Sequence, residues 1–363
     1  MPFVVNASIA ILQDIIDHLA QAIRAAGERK RPLRVRGGGT KDFYGGELTG
    51  DVLDTRVYGG IVEYEPTELV ITARAGTPLA EIEAAMREHG QMLAFEPPHF
   101  GAASTFGGCI AAGLSGPRRP YAGAARDLVL GVRMLDGRGT DLRFGGQVMK
   151  NVAGYDVSRL LVGSLGTLGV LLEISVKALP NARAEITLRL EHTQAPAIAV
   201  MNAWAGKPLP ITATCHVGKS LYVRLAGAEP TVRAARAKLG GEEVAGGAAF
   251  WQALREHEHD FFRVTQSLWR LSLKSTTPPL NLPGPQLLEW NGALRWLTGD
   301  AEPALVRDAA SRGGGHATLF RGGDKANGVF HPLSPALLKL HRRLKGSFDP
   351  HGILNPRRMY PGL

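Results

Sequence analysis

The sequence predicts an α+β protein made of two folded blocks and a tail. Three observations predict it. The first 180 residues alternate helical and strand periodicities separated by Gly-rich loops. After Pro180 the Gly-rich loops stop, and residues 185–322 read as strands and helices in the manner of an antiparallel sheet with helices on one face. After Ser334-Pro335 one last helix runs into an irregular end. At roughly 100–200 residues per domain, 363 residues are enough for two cores.

In the first block, Ile9, Leu12, Ile16, Leu19 and Ile23 recur at helical spacing, which predicts a helix over 8–26 stopped by Gly27. A strand at Leu33–Arg36 runs into Gly37-Gly38-Gly39-Thr40. Strands follow at Gly60–Tyr64 and Leu69–Ala73. Thr77 and Pro78 open a helix as cap and first turn, and Gly90 closes it. Asp136-Gly137 marks a hairpin between Val129–Leu135 and Thr140–Phe144, and Val170–Ala178 alternates as a strand.

In the second block, strands are expected at Ile186–Leu190, Thr212–His216, Ser220–Leu225, Trp269–Lys274, Leu287–Trp290, Ala293–Leu297 and His316–Arg321. Helices are expected at Pro196–Ala205, Glu229–Leu239, Ala248–Phe262 and Pro303–Ser311. The tail helix after Ser334-Pro335 is expected to stop at Gly346.

Composition narrows the function. Hydrophobic residues at 44% and charged residues at 21% suit a globular chain. No run of eighteen apolar residues is present. Asp14 and Asp17 break the first apolar stretch, so a signal peptide is not expected and the cytoplasm is. Cys109 and Cys215 alone cannot hold a four-cysteine cluster. The net charge of +9 fits an anionic lipid surface, an acidic partner or a solvated basic face. The arginines are scattered and no basic stripe interleaves with aromatics, which argues against nucleic acid.

Three segments offer sites. Arg36-Gly37-Gly38-Gly39-Thr40-Lys41 follows a strand, and three glycines let backbone N–H groups converge on a phosphate, with Arg36 and Lys41 adding charge; a flexible turn is the plain alternative. In Glu96–Gly108, Pro97 and Pro98 stiffen the entry, Gly101 turns, Ser104 and Thr105 offer hydroxyls, and Gly107-Gly108 permit close backbone approach. A helix over Cys109–Ala112 would then face its N-terminus toward an anion, unless the segment is only a tight loop of small residues. Lys150-Asn151-Val152-Ala153-Gly154-Tyr155-Asp156 precedes a Gly-punctuated turn, Gly163 to Val170, that could present backbone groups to a heterocycle. Two motifs are set aside. Gly218-Lys219-Ser220 imitates a nucleotide loop but precedes a strand, and His257-Glu258-His259-Asp260 reads as a solvated helix face with no metal.

In this order the three segments resemble the vanillyl-alcohol-oxidase/p-cresol-methylhydroxylase family of FAD proteins. Phe348-Asp349-Pro350-His351-Gly352-Ile353-Leu354-Asn355-Pro356 resembles that family's C-terminal signature. The resemblance implies a two-lobed FAD-binding domain with an α+β cap. Residues 1–180 would form the FAD domain and 181–329 the cap, with 330–363 returning to the FAD domain. It implies FAD contacts at Arg36–Lys41, Pro97, Pro98, Gly101, Ser104, Thr105, Gly107, Gly108, Gly113, Lys150, Asn151, Gly154, Tyr155, Asp156, Gly166, Gly169, Val170 and Asn355. Many relatives attach FAD to a histidine at the position of Thr40, so here FAD is expected to bind non-covalently.

Leu53–Arg56, Tyr64–Ile71, Gly113–Pro120, Leu142–Gly146 and Lys150–Asp156 resemble the FAD-binding subunits of bacterial glycolate oxidases. That resemblance implies a homologous flavin subunit and an iron–sulfur subunit as partners and a small 2-hydroxy acid as substrate. It also leaves room for peripheral association with the inner membrane through those partners. Self-contained relatives carry a His-Pro-x-Gly-Asp-Gly-Asn-x-His stretch for metal and substrate. Here Gly313-Gly314-Gly315-His316 and Arg321-Gly322-Gly323-Asp324 come nearest, without the second histidine. No metal is expected and no catalytic residue is assigned. His316 with Arg321 is the improvised carboxylate site left open.

Overall fold

The computed structural model describes residues 3–146, 156–263 and 266–363. The first block holds a five-stranded antiparallel sheet in the order Ile61–Glu65, Val70–Arg74, Val170–Lys177, Val129–Leu135, Asp141–Gly145. Helices Leu79–Glu88 and Phe106–Ala112 pack on it, burying Ile82, Met86, Phe106 and Ile110 against Ile71, Ile174 and Val176. A smaller lobe is built from the N-terminal helix Phe3–Arg29 and two parallel strands, Leu33–Arg36 and Asp51–Asp54. Ile16, Leu19 and Ile23 of that helix, spaced for one face, close over Leu33, Leu53, Val170 and Leu172.

The second block is one eight-stranded antiparallel sheet. Its order is Glu242–Glu243, Ala184–Glu191, Ser220–Gly227, Ile211–Val217, Gln286–Glu289, Leu294–Thr298, Leu268–Ser272, His316–Arg321. Helices Gln194–Ala205, Glu229–Leu239 and Pro303–Arg312 cover one face. The expectation of helices on one face needs correcting for Gly247–Glu256. Trp251 of that helix donates to Thr187 Oγ1 at 2.8 Å, and Trp251 and Leu254 join Ala213, Cys215, Trp296 and Phe320 on the opposite face. That face turns toward the first block, and Tyr44, Leu114 and Leu165 enter the same cluster.

The tail returns to the small lobe. Ile353 and Leu354 are buried with Leu33 and Leu19, and Leu33 N–H donates to the Ile353 carbonyl at 2.7 Å. Several expected stops differ. Gly27 lies inside the first helix, where a Cβ would meet His351 at 2.9 Å, so it permits close approach of the tail and does not end the helix. Thr77 does not cap; its hydroxyl donates to Arg74 and Gly60 carbonyls. The helix expected to reach Phe262 ends at Glu256, with His257 in the left-handed region at φ 56°. The tail helix passes Gly346 and ends at Phe348, one residue before the Asp349-Pro350 pair that favours extended backbone.

Candidate functional site

A cleft with about 740 Å³ of empty space opens between the two lobes of the first block. The loop Arg36–Asp42, leaving the end of its strand, forms one wall. Ser104, Thr105, Gly107 and Gly108 form the facing wall, Leu165, Gly166 and Gly169 a third side, and Asn355 and Arg358 of the tail close it.

Glycine makes the walls possible. A Cβ on Gly38 would stand 1.5 Å from the Ala103 carbonyl oxygen, and one on Gly37 2.3 Å from Thr105 Oγ1. Gly39 has φ 73°, the left-handed region in which a side chain is disfavoured. The amides of Gly38, Gly39, Thr40 and Lys41 donate to no protein acceptor among the described residues. Four consecutive free N–H groups beside a cleft suit an anion such as a phosphate.

The charges divide unevenly. Arg36 donates to Asp42 Oδ2 at 2.9 Å, and Arg34 pairs with the same oxygen, so much of the Arg36 charge is answered within the protein. Lys41 is deeply enclosed; its Nζ donates to Ser104 Oγ at 3.0 Å and the His99 carbonyl at 3.1 Å. Burial lowers its pKa, opposed by Cys109 and Glu256. Lys41 therefore fastens the two walls together as well as facing the cleft.

The expected anion-facing helix needs correction. The helix is Phe106–Ala112, and its leading amides are already used. Phe106 donates to the Thr77 carbonyl at 2.8 Å, Gly107 to the Ala75 carbonyl at 2.8 Å and Gly108 to Thr105 Oγ1 at 3.2 Å. Asn355 comes back to the cleft, but its amide works as a clamp. Oδ1 accepts from Val35 N–H at 2.8 Å and Nδ2 donates to the Leu165 carbonyl at 2.7 Å.

The other expected residues scatter. Gly113 is the left-handed C-cap of the short helix, against Gly163, and Val170 is fully buried in the core. Pro97 is buried, Pro98 lines a smaller cavity against the second block, and Gly101 lines a polar groove beside Glu83 and Glu256. Asp156 is exposed and caps helix Val157–Leu161. Lys150, Asn151, Gly154 and Tyr155 lie outside the described residues.

Sequence reading missed Asp42, Leu48, Thr55, Ala111 and Arg358 in the cleft. Arg358 donates to the carbonyls of Lys41 at 3.2 Å, Asp42 at 2.9 Å and Gly46, pinning the tail to the glycine loop. Burial lowers its pKa to about 10. Two arginines side by side, Arg357-Arg358, after Asn355-Pro356 were the only signal, and nothing in it separates a clamp from a surface charge.

Two set-aside motifs also resolve. Gly218-Lys219-Ser220 is a hairpin turn with Gly218 at φ 63°. His257 is not on a solvated helix face. It is deeply enclosed, stacked on Phe262 with ring centroids 4.0 Å apart, and burial drives its pKa well below the ordinary histidine value. His316 and Arg321 begin and end one strand, so they stand roughly 17 Å apart and cannot share one carboxylate.

The chain matches a model of FAD binding domains over residues 8–145 and one of FAD linked oxidase C-terminal domains over residues 322–359. It is 52% identical over 350 residues to the Escherichia coli protein named glycolate oxidase subunit GlcE, covering 96% of this chain and 99% of that one. It is 33% identical to Bacillus subtilis glycolate oxidase subunit GlcD, over 54% of this chain and 42% of the relative. Archaeoglobus fulgidus D-lactate dehydrogenase is likewise 33% identical, over 54% of this chain and 44% of the relative. Among solved structures, p-cresol methylhydroxylase superposes with a TM-score of 0.67 at 16% identity, covering 94% of this chain and 87% of its own. Alkyldihydroxyacetonephosphate synthase superposes at 0.65 and 15% identity, covering 94% and 76%.

Proposed function

The chain belongs to the family of glycolate oxidase GlcE subunits, FAD-dependent oxidoreductases, and from that premise we propose that it holds FAD non-covalently as one subunit of a complex oxidising glycolate or a similar small 2-hydroxy acid. The observation that carries this reading is the glycine-walled cleft with its row of free amides. Residues 1–180 with the 330–363 tail hold the cofactor, and 181–329 cap it. The amides of Gly38–Lys41 take the pyrophosphate, and Ser104, Thr105, Gly166 and Gly169 line the rest of the cofactor's course. Asn355, Lys41 and Arg358 keep the walls at their spacing. FAD supplies the electron acceptance, and this chain's residues bind it, orient it and exclude water.

The partners proposed here are a second flavin subunit of the GlcD kind, to which 54% of this chain is similar, and an iron–sulfur subunit that carries electrons onward. No helix among the described residues is long and apolar enough to cross a membrane. Membrane contact, where it occurs, would run through those partners. The test is anaerobic. The purified chain is mixed with excess glycolate and flavin absorbance is followed, alone and with the partner subunits added. The expected outcome is little bleaching alone and full bleaching in the assembled complex. A complex that stays oxidised in glycolate overturns the substrate assignment.

A further inference from the structure

Where the large sheet faces the first block lies a small second cavity. Phe100, Leu114 and Ser115 line one side, and His257, Arg270 and Glu289 the other. Arg270 is enclosed by protein yet keeps surface toward this cavity. Among the described residues it has no ion pair and no hydrogen bond; its Cζ lies 5.2 Å from the Trp290 ring, and Tyr44 and Glu289 act on it through space.

The same ring carries a second guanidinium. Arg119, from the first block, stands 4.4 Å from the Trp290 centroid and likewise has no ion pair among the described residues. Burial lowers the pKa of both arginines, and Arg270 adds to the lowering at Arg119. Two cations therefore stand against one indole ring without an ion pair, with Glu289 the carboxylate whose charge reaches Arg270 and Asp127 the one that reaches Arg119. Glu289 is the carboxylate lining the cavity. It forms no ion pair with Arg270, accepts from Trp296 Nε1 at 2.8 Å, and burial pushes its pKa up to about 7. Arg255, also in the lining, is answered by Glu256 at 2.8 Å. His257 sits beside Arg270 with its Nδ1 buried and unpartnered, and burial together with Arg321 and Arg270 keeps it neutral.

Native folds pair their buried cations, because an unanswered one loses its hydration for nothing. An arginine left unpaired on a cavity wall is therefore a group kept for a ligand. A guanidinium holds a carboxylate through two parallel hydrogen bonds. We propose that Arg270 anchors the carboxylate of a small 2-hydroxycarboxylate in this cavity, with the His257 ring beside it as acceptor for the hydroxyl. The inference rests on the flavin-subunit reading above and deepens it, since it places a substrate-class site in this chain in place of the His316–Arg321 pair.

The experiment uses the full FAD-loaded chain and calorimetric titration with oxalate, an unreactive two-carbon dicarboxylate, against glycolamide, the uncharged counterpart of glycolate. The wild type binds oxalate and not glycolamide. Arg270→Met weakens oxalate binding by roughly 10- to 100-fold, the size of a lost charged hydrogen bond, and Arg270→Lys falls between. Flavin content stays normal in both. The melting temperature of ligand-free Arg270→Met stays level or rises, because an unpaired buried charge is gone. A structural arginine would instead lower it. The proposal is overturned if the wild type binds no oxalate, if Arg270→Met binds it as the wild type does, or if that variant loses flavin and stability together. Glycolate bleaching of the assembled complex judges the function separately. Bleaching with an unchanged KM in Arg270→Met removes the anchor and leaves the function standing.

Discussion

Gly38 has no room for a side chain, and the reason lies across the cleft. Its φ is not in the left-handed region; that conformation belongs to Gly39. The obstacle at Gly38 is the Ala103 carbonyl, 1.5 Å from where a Cβ would sit. Gly38→Val should therefore part the two walls and cut flavin per chain below about one-tenth, with the overall circular dichroism retained. Normal flavin absorbance in that variant would mean this loop does not hold the pyrophosphate. Thr40 lines the same cleft and has no chemistry for attaching a flavin, while Cys109 is buried with its thiol pushed up to about 12. Acid precipitation should release all flavin to the supernatant, and flavin on the pellet would locate a covalent link. Glu289 gives a pH prediction. Folded, it holds its proton up to about pH 7, against an ordinary value of 4.5. The folded state therefore binds the extra proton between those values, and that stabilisation is lost as pH rises through 7. Glu289→Gln should melt higher than wild type at pH 8, by up to about 3 kcal/mol, and equal to it near pH 4. An unchanged difference across that range would remove Glu289 as the titrating group. The glycine loop was legible in the sequence; Glu289 and Arg270 were not, because they sit in unremarkable strand sequences and only the sheet register brings them to one cavity.

At the scale of elements, periodicity was a good guide and punctuation a poor one. The amphipathic first helix, the central strands and the tail helix are where their apolar spacing puts them. The pairs Asp51–Asp54 and Gln91–Met92 with Leu179–Pro180 escaped, since two to four residues carry no period and their pairing is set by tertiary approach. Glycines misled where they serve contact: Gly27 makes room for His351, and Gly346 simply continues its helix. The end of that helix shows what the tail is for. Lys345 Nζ, buried, donates to Asp349 Oδ2, the Thr167 carbonyl and the Leu354 carbonyl, each at 2.7 Å. Asp349 accepts in turn from the N–H groups of Ile353 and Leu354. Burial lowers the Lys345 pKa, with Asp349 opposing. Asp349→Ala leaves that ammonium enclosed without its counter-charge, held by two carbonyls alone, at a cost of about 3–5 kcal/mol. Denaturant unfolding should show that loss, and adding Lys345→Met should recover part of it. A single variant within about 0.5 kcal/mol of wild type would mean the network is exposed to water in solution.

Across the whole molecule, the two blocks keep separate cores but share a third. Residues after Pro180 have their own clusters around Leu188, Met201 and Val223 and around Trp269 and Val306. The shared cluster joins Tyr44, Leu114 and Leu165 to Trp251, Trp290, Trp296 and Phe320, and Lys325 Nζ reaches the Phe43 and Gly45 carbonyls. The change of glycine usage at Pro180 was visible in the sequence; this seam was not, because its residues come from many separate stretches between Tyr44 and Phe320 with no pattern of their own. The seam makes a prediction possible. All five tryptophans lie between Trp204 and Trp296, so their fluorescence reports the second block and the seam it shares with the first, whereas the proposed FAD cleft lies outside both. FAD at about a thousand times its dissociation constant stabilises the state that binds it by about 4 kcal/mol. If the shared cluster couples the blocks, tryptophan-monitored melting rises with FAD by the same amount as the calorimetric transition, though no tryptophan touches the cleft. If the blocks melt independently, calorimetry splits into two transitions and the tryptophan signal follows the one that ignores FAD. We expect a single shifted transition, because parting the blocks would bare three tryptophans and Phe320 to water and strip Lys325 of both its carbonyl acceptors.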